Sequence, residues 1–106
     1  MDTTKLSDGF PPEAEIHAMT ELFKVLGDPT RIKMLFLFFS QESCVSEIAA
    51  KLHVTESAVS HHLQILRLNG LVKRRREGKT IFYCSMDKHL SSIMAQGWDH
   101  VIDMIK

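Results

Sequence analysis

The fold of this chain is decided by residues 45–85, which read VSEIAAKLHVTESAVSHHLQILRLNGLVKRRREGKTIFYCS. Apolar residues in the first part recur three and four positions apart, which predicts two helices separated by a break at His53-Val54-Thr55. Thr55 is suited to cap the second helix and Asn69-Gly70 to end it. Two short helices joined by a three-residue turn are typical of a helix-turn-helix.

The second part of this stretch changes to a β pattern. Leu71 to Arg76 and Thr80 to Ser85 are β-prone runs around Glu77-Gly78-Lys79, which predicts a hairpin. The hairpin is strongly basic, although the whole chain has a formal net charge of +0. A basic patch on a neutral protein indicates a polyanion-binding face, whereas the charge run by itself is equally typical of a solvated hairpin.

The flanking segments complete the order of elements. A helix is predicted from Glu13 to the stop at Gly27, and Asp28-Pro29 provides an N-cap and a first-turn proline for the next helix. That second helix is apolar nearly all round, so we expect it to be the central buried helix. A final helix, capped by Asp87, is expected to continue to the end.

The predicted fold is therefore mostly α with one β-hairpin (α+β): a winged helix-turn-helix in the order helix, helix, helix-turn-helix, hairpin, helix. Residues 1–12 are expected to be a flexible N-terminal lead-in. Residues 13–106 are expected to form one DNA-binding and dimerisation domain, because 106 residues suffice for one small domain that gains from an extra buried face.

Composition excludes several classes of protein. With 44% apolar and 25% charged residues, the chain is typical of a soluble globular protein. The longest apolar run is too short to cross a bilayer, and no signal peptide opens the chain, so we expect a cytoplasmic protein with no membrane partner. We find no nucleophile motif, nucleotide loop or cofactor fingerprint, which argues against an enzyme with a small-molecule substrate.

In a helix-turn-helix, the N-terminal part of the second helix meets base edges in the major groove. The candidates for this role are Glu56, Ser57, Ser60 and His61. A basic wing reaches phosphates or the adjacent minor groove, and here its candidates are Arg74, Arg75, Arg76 and Lys79. His62 is expected to be a packed or half-exposed helix residue.

Three segments resemble the ArsR/SmtB family of winged-helix regulators. Residues 23–35 (FKVLGDPTRIKML) are similar to its signature, residues 57–63 (SAVSHHL) to its recognition helix, and residues 75–83 (RREGKTIFY) to its wing. The resemblance extends over nearly the whole chain from about Ile16. It implies a homodimeric transcriptional repressor that binds an inverted-repeat operator in double-stranded DNA and, in most members, releases it on binding metal ions.

The final helix carries Asp87-x-His89 and His100-x-x-Asp103. The two histidines share a face but lie roughly 16 Å apart along a helix, too far for one ion with Zn–N bonds of about 2 Å. If the terminal helices pair antiparallel in a dimer, each of two sites receives Asp87 and His89 from one chain and His100 and Asp103 from the other. This donor set suits zinc or cobalt, and similar spacings in the family imply a zinc sensor, although Asp103 stands where those members have Glu or His.

Other hypotheses remain. A nickel or cobalt sensor, or a redox input through Cys44 or Cys84, is an alternative within DNA binding. Cys44-Val45-Ser46 with Glu47 and His17 is at most a remnant of the family's thiolate site. A metal-dependent hydrolase is disfavoured because four protein ligands leave no open position, and a winged helix that binds only protein is disfavoured by the basic hairpin.

Overall fold

A computed structural model describes residues 9–86 and 88–106 of the chain. Over these residues it confirms the predicted α+β winged helix-turn-helix, with the hairpin starting one residue later than expected. The elements are α1 (Glu13–Leu26), α2 (Pro29–Ser40), α3 (Val45–Leu52), α4 (Glu56–Leu68), β1 (Val72–Glu77), β2 (Thr80–Ser85) and α5 (Lys88–Ile105). The capping role predicted for Asp87 and most of the predicted flexible lead-in fall outside the described residues.

The predicted caps set the helix boundaries. The Asp28 carboxylate accepts a hydrogen bond from the Arg31 backbone N–H at 3.0 Å, and the Thr55 hydroxyl accepts one from the Ala58 N–H at 3.1 Å. Gly70 follows α4 with a φ of 69°. His53, in the turn between α3 and α4, has a left-handed φ of 57°, a conformation that costs a non-glycine residue roughly 1 kcal/mol or more.

The core lies where α2 crosses the helix-turn-helix. It contains fully buried side chains from α2, α3, α4 and α5, namely Met34, Leu35, Ile48, Val59, Leu63, Leu66 and Leu90. The central position expected for α2 is confirmed by Met34, Leu35 and Phe38, which are buried in the core, but Phe36 and Phe39 on its other side are 41% and 38% exposed. Apolar periodicity identified the helix but did not distinguish its core-facing side from a second apolar side.

The wing has a one-residue β-bridge to another segment that the sequence did not predict. β1 and β2 pair antiparallel, with Arg75 opposite Phe82. Ser43, between α2 and α3, forms a β-bridge to Tyr83 on β2 through two backbone hydrogen bonds of 3.1 and 2.9 Å. β2 is thus held on both edges, and the wing is attached to the turn between α2 and α3.

Candidate DNA-binding and metal-binding surfaces

Helix α4 presents the predicted base-reading residues to solvent. Glu56, Ser57, Ser60 and His61 are all exposed, whereas Val59 and Leu63 are buried and hold the opposite side of the helix against the core. The first two turns of α4 therefore offer hydroxyl, carboxylate and imidazole groups on an accessible surface. Contact with DNA itself stays a prediction.

His62 is half-buried, as expected, and takes part in a link that sequence analysis missed. The Arg31 Nη1 lies 3.3 Å from His62 Nδ1, and the Arg31 Nε donates a 2.7 Å hydrogen bond to the Val25 carbonyl. Burial holds the pKa of His62 below its ordinary value, against the opposing effect of the Asp28 carboxylate. Arg31 thereby connects α4 to the end of α1.

The wing separates its basic residues between two faces. Strand alternation places Arg74 and Arg76, which pair with Tyr83 and Ile81, on the face opposite to Arg75. Lys79 lies at the tip, next to Gly78, whose φ of 62° suits a two-residue hairpin loop. Arg74, Arg76 and Lys79 are all exposed.

Arg75 already has acidic partners in the protein. Its Nε and Nη2 donate to the Glu42 carboxylate at 2.9 to 3.1 Å, and its Nη1 donates to Glu77 at 2.8 Å. Glu42 was not among the predicted functional residues. The two residues are 33 positions apart, and nothing in the local pattern of either segment signals their contact.

The predicted metal ligands on α5 are placed as the helical spacing requires. His89, His100 and Asp103 are exposed and belong to one continuous helix of 18 residues. The two histidines are eleven positions apart, which corresponds to roughly 16 Å along the helix axis. Asp87 is outside the described residues. Among those described in this single chain, no group of three or more His, Cys, Asp or Glu side chains is close enough to hold a metal ion. Imidazole nitrogen and carboxylate oxygen are nevertheless a donor set that zinc accepts.

The possible remnant site near Cys44 has a structural use instead. The Glu47 carboxylate accepts a hydrogen bond from the Cys44 backbone N–H at 2.9 Å, as in a helix cap. This hydrogen bond also lowers the pKa of Glu47. Cys44 and Cys84 are both half-buried free thiols.

An apolar groove of about 340 Å³ lies between α1, α2 and α5. Its lining includes Phe23, Phe36, Trp98 and Val101, all of them substantially exposed. The Phe36 and Trp98 rings meet edge to face with centroids 6.1 Å apart. Exposed apolar surface of this kind on several helices is typical of a protein–protein contact.

Comparison with known proteins agrees with this architecture. Residues 28–74 match the family described as "Bacterial regulatory protein, arsR family". The chain is 42% identical over 83 residues to the transcriptional repressor SmtB homolog of Synechocystis, which covers 78% of this chain and 63%, less than two thirds, of that protein. It is 32% identical to the cadmium resistance transcriptional regulatory protein CadC homolog of Staphylococcus aureus, over 77% of this chain and 69% of that protein.

Among solved structures, the chain is similar to the homodimeric winged helix-turn-helix DNA-binding domain of Mb0332 from Mycobacterium bovis, a possible ArsR-family regulator. The TM-score is 0.82 at 25% sequence identity, and the match covers 95% of this chain and 92% of that domain. These similar proteins are named as regulators and not as enzymes. The sequence matches and the shared winged helix together show that the chain belongs to the arsR family of bacterial regulatory proteins.

Proposed function

We propose that this protein is a metal-responsive transcriptional repressor that binds an inverted-repeat operator as a homodimer and dissociates when zinc or cobalt binds between the α5 helices. The observation that carries the proposal is the placement of His89, His100 and Asp103 on one exposed side of α5. The histidines are too far apart to share an ion within one chain, so a second copy is required.

The dimer would form through the apolar groove between α1, α2 and α5. Phe36 and Trp98 leave apolar surface exposed there, which a second copy would remove from water. An isologous pair with antiparallel α5 helices would form two equivalent sites, each with Asp87 and His89 of one chain and His100 and Asp103 of the other. When bound, the ion supplies only a bridge between the two chains, since four protein ligands leave no position for substrate.

DNA would be read by the start of α4 and held by the wing. Ser57, Ser60 and His61 carry hydrogen-bonding groups of the size that reaches base edges, with Glu56 at the same end of the helix. Arg74, Arg76 and Lys79 offer positive charge for phosphates.

Metal and DNA would then compete through the geometry of the dimer. An ion that takes ligands from both chains favours the dimer form in which its ligands meet. In that form the two α4 helices would be spaced so that they no longer fit successive major grooves. Metal then weakens DNA binding, and DNA weakens metal binding by the same factor.

A DNA-binding titration with and without zinc tests this proposal. Zinc should weaken binding of the wild-type protein to an operator selected from a random pool by about 5- to 150-fold, the usual range of coupling between two sites. His100→Ala should bind DNA like the wild type but ignore zinc. Asp99→Asn, which removes an exposed charge next to His100 on the same helix and belongs to neither proposed metal site, is the matched control and should keep the zinc response.

Repeating the titration with cobalt and nickel would rank the three ions by how strongly each weakens DNA binding. Metal affinity should fall as the pH drops, because the histidines must be neutral to bind the ion. The proposal is wrong if His100→Ala still releases DNA on zinc addition. It is equally wrong if wild-type affinity for DNA is the same with and without zinc.

A further inference from the structure

The contact between Arg75 and Glu42 joins the wing to a different part of the fold. Glu42 lies in the turn between α2 and α3, one residue before the Ser43 bridge to Tyr83. Arg75 lies on β1, on the far side of β2 from that turn. The ion pair therefore reaches across β2 and connects β1 with the segment that forms the Ser43 bridge.

All three nitrogens of the Arg75 guanidinium donate to carboxylates, although the side chain is about half exposed. They donate to Glu42 or Glu77 at 2.8 to 3.1 Å, and the central carbon lies 4.9 Å from the centroid of the Phe82 ring. The two carboxylates raise the pKa of Arg75, and the hydrogen bonds from Arg75 lower that of Glu42. A phosphate would have to displace carboxylates that already match the fork of the guanidinium.

β1 is the edge strand of the hairpin, on the side away from Ser43. An isolated two-stranded hairpin is at best marginally stable, and here β2 has a second neighbour at Ser43 while β1 pairs with β2 alone within the described residues. The Glu42–Arg75 pair adds an attachment for β1, at the position between the two exposed arginines, Arg74 and Arg76.

We propose that Arg75 is a positioning residue for DNA binding. It holds β1 to the turn between α2 and α3 through Glu42 and so sets where Arg74, Arg76 and Lys79 meet phosphates. The proposal rests on the DNA binding proposed above. It separates the four basic wing residues into three that contact the polyanion and one that orients them.

The substitution Glu42→Gln tests this proposal, because a pure charge effect and a positioning effect would change the affinity for DNA in opposite directions. Removal of a negative charge near the wing should by charge alone tighten binding to DNA. If Arg75 positions the wing through Glu42, the same substitution should instead weaken binding to a random-sequence duplex, by about two- to five-fold for an exposed pair of this kind. Glu77→Gln is the matched control, because it removes a second carboxylate from Arg75 but lies on β1 itself and attaches the wing to nothing else.

Two further measurements separate positioning from direct contact. Arg76→Ala should reduce the slope of log K against log salt by about one unit, as the loss of one phosphate contact requires. The effects of Glu42→Gln and Arg75→Ala on the free energy of DNA binding should not add in the double variant, since each substitution removes the same attachment of β1. In the free protein, amide hydrogen exchange of β1 should be faster in Glu42→Gln than in the wild type and Glu77→Gln, with α2 unchanged.

The proposal is supported if Glu42→Gln weakens DNA binding and speeds amide exchange in β1 while Glu77→Gln does not weaken DNA binding. Tighter or unchanged DNA binding by Glu42→Gln would overturn it, as would unchanged exchange in β1. If wild-type protein binds no DNA, the proposed function fails, and the exchange measurement still decides whether Glu42 holds the wing.

Discussion

Asp28 shows how far the influence of one side chain extends in this fold. Its carboxylate accepts the Arg31 N–H and begins α2, and the side chain of Arg31 in turn contacts His62 on α4. The hydrogen bond from Arg31 is the main reason that the pKa of Asp28 lies below its ordinary value, and burial opposes it. A single cap thus supports both the start of α2 and the contact between Arg31 and α4.

This lowered pKa predicts how stability depends on pH. Because the folded-state pKa is below the unfolded one, the ionised carboxylate stabilises the fold fully above the unfolded value and loses that effect as the pH falls through the folded value. Asn keeps the cap acceptor without the charge, so the difference in unfolding free energy between wild type and Asp28→Asn should shrink as the pH falls below about 4.

Urea denaturation at a series of pH values measures this difference. Asp28→Ala should cost about 1 kcal/mol at neutral pH, the usual value for a lost cap. Asp99→Asn, at an exposed position in the middle of α5, is the control. A difference between wild type and Asp28→Asn that stays constant from neutral pH to acid would contradict the role given to the charge.

At the scale of elements, α4 and the wing are expected to divide recognition between them. Ser60→Ala should lower the preference for a selected operator over random DNA by about five-fold, corresponding to about 1 kcal/mol at one base contact. Arg76→Ala should weaken binding to both DNAs equally, because phosphates carry no direct sequence information. Fluorescence anisotropy titrations on both duplexes measure these effects, and an equal loss on both DNAs for Ser60→Ala would rule out its reading of bases.

The sequence predicts helix boundaries better than contacts between distant segments. Asp28-Pro29, Thr55 and Asn69-Gly70 act on their immediate neighbours, so helix boundaries followed from them directly. The Ser43–Tyr83 bridge and the Glu42–Arg75 pair join distant segments without a periodic pattern, so they became visible only in the fold. The candidate residues described on α4 and α5 are exposed, but their roles in binding DNA and metal stay predictions, because neither a second chain nor DNA follows from one fold.

The whole molecule is more open than a compact domain of its length. Its radius of gyration is 16.0 Å, whereas a compact chain of this size has one of about 13 Å. α5 is attached to the core chiefly by two buried residues near its start, Leu90 and Met94, and the rest of the helix is largely exposed. Phe36 and Phe39 lie on the apolar but exposed side of α2, which apolar periodicity alone does not distinguish from the buried side.

A charge placed in the groove should therefore separate the proposed dimer. Val101 is 44% exposed and lines the groove, so Val101→Glu should leave the single chain folded but weaken dimerisation by about ten-fold or more, because an unpaired buried carboxylate is costly. Leu68→Glu makes the same kind of change at a position that is 78% exposed and outside the groove. Sedimentation analysis should show dissociation for Val101→Glu alone, and a wild-type chain that stays monomeric at all concentrations would contradict the dimer.

The pairing of Trp98 with Phe36 gives the protein a natural optical probe. Trp98 is the single tryptophan of the chain, and more than half of its surface is in water. Its indole lies on the surface that a second copy is proposed to cover, so its emission should shift to shorter wavelength as protein concentration rises. The protein would then report its own assembly without a label, and addition of zinc would show whether the ion changes the surroundings of the indole in the dimer.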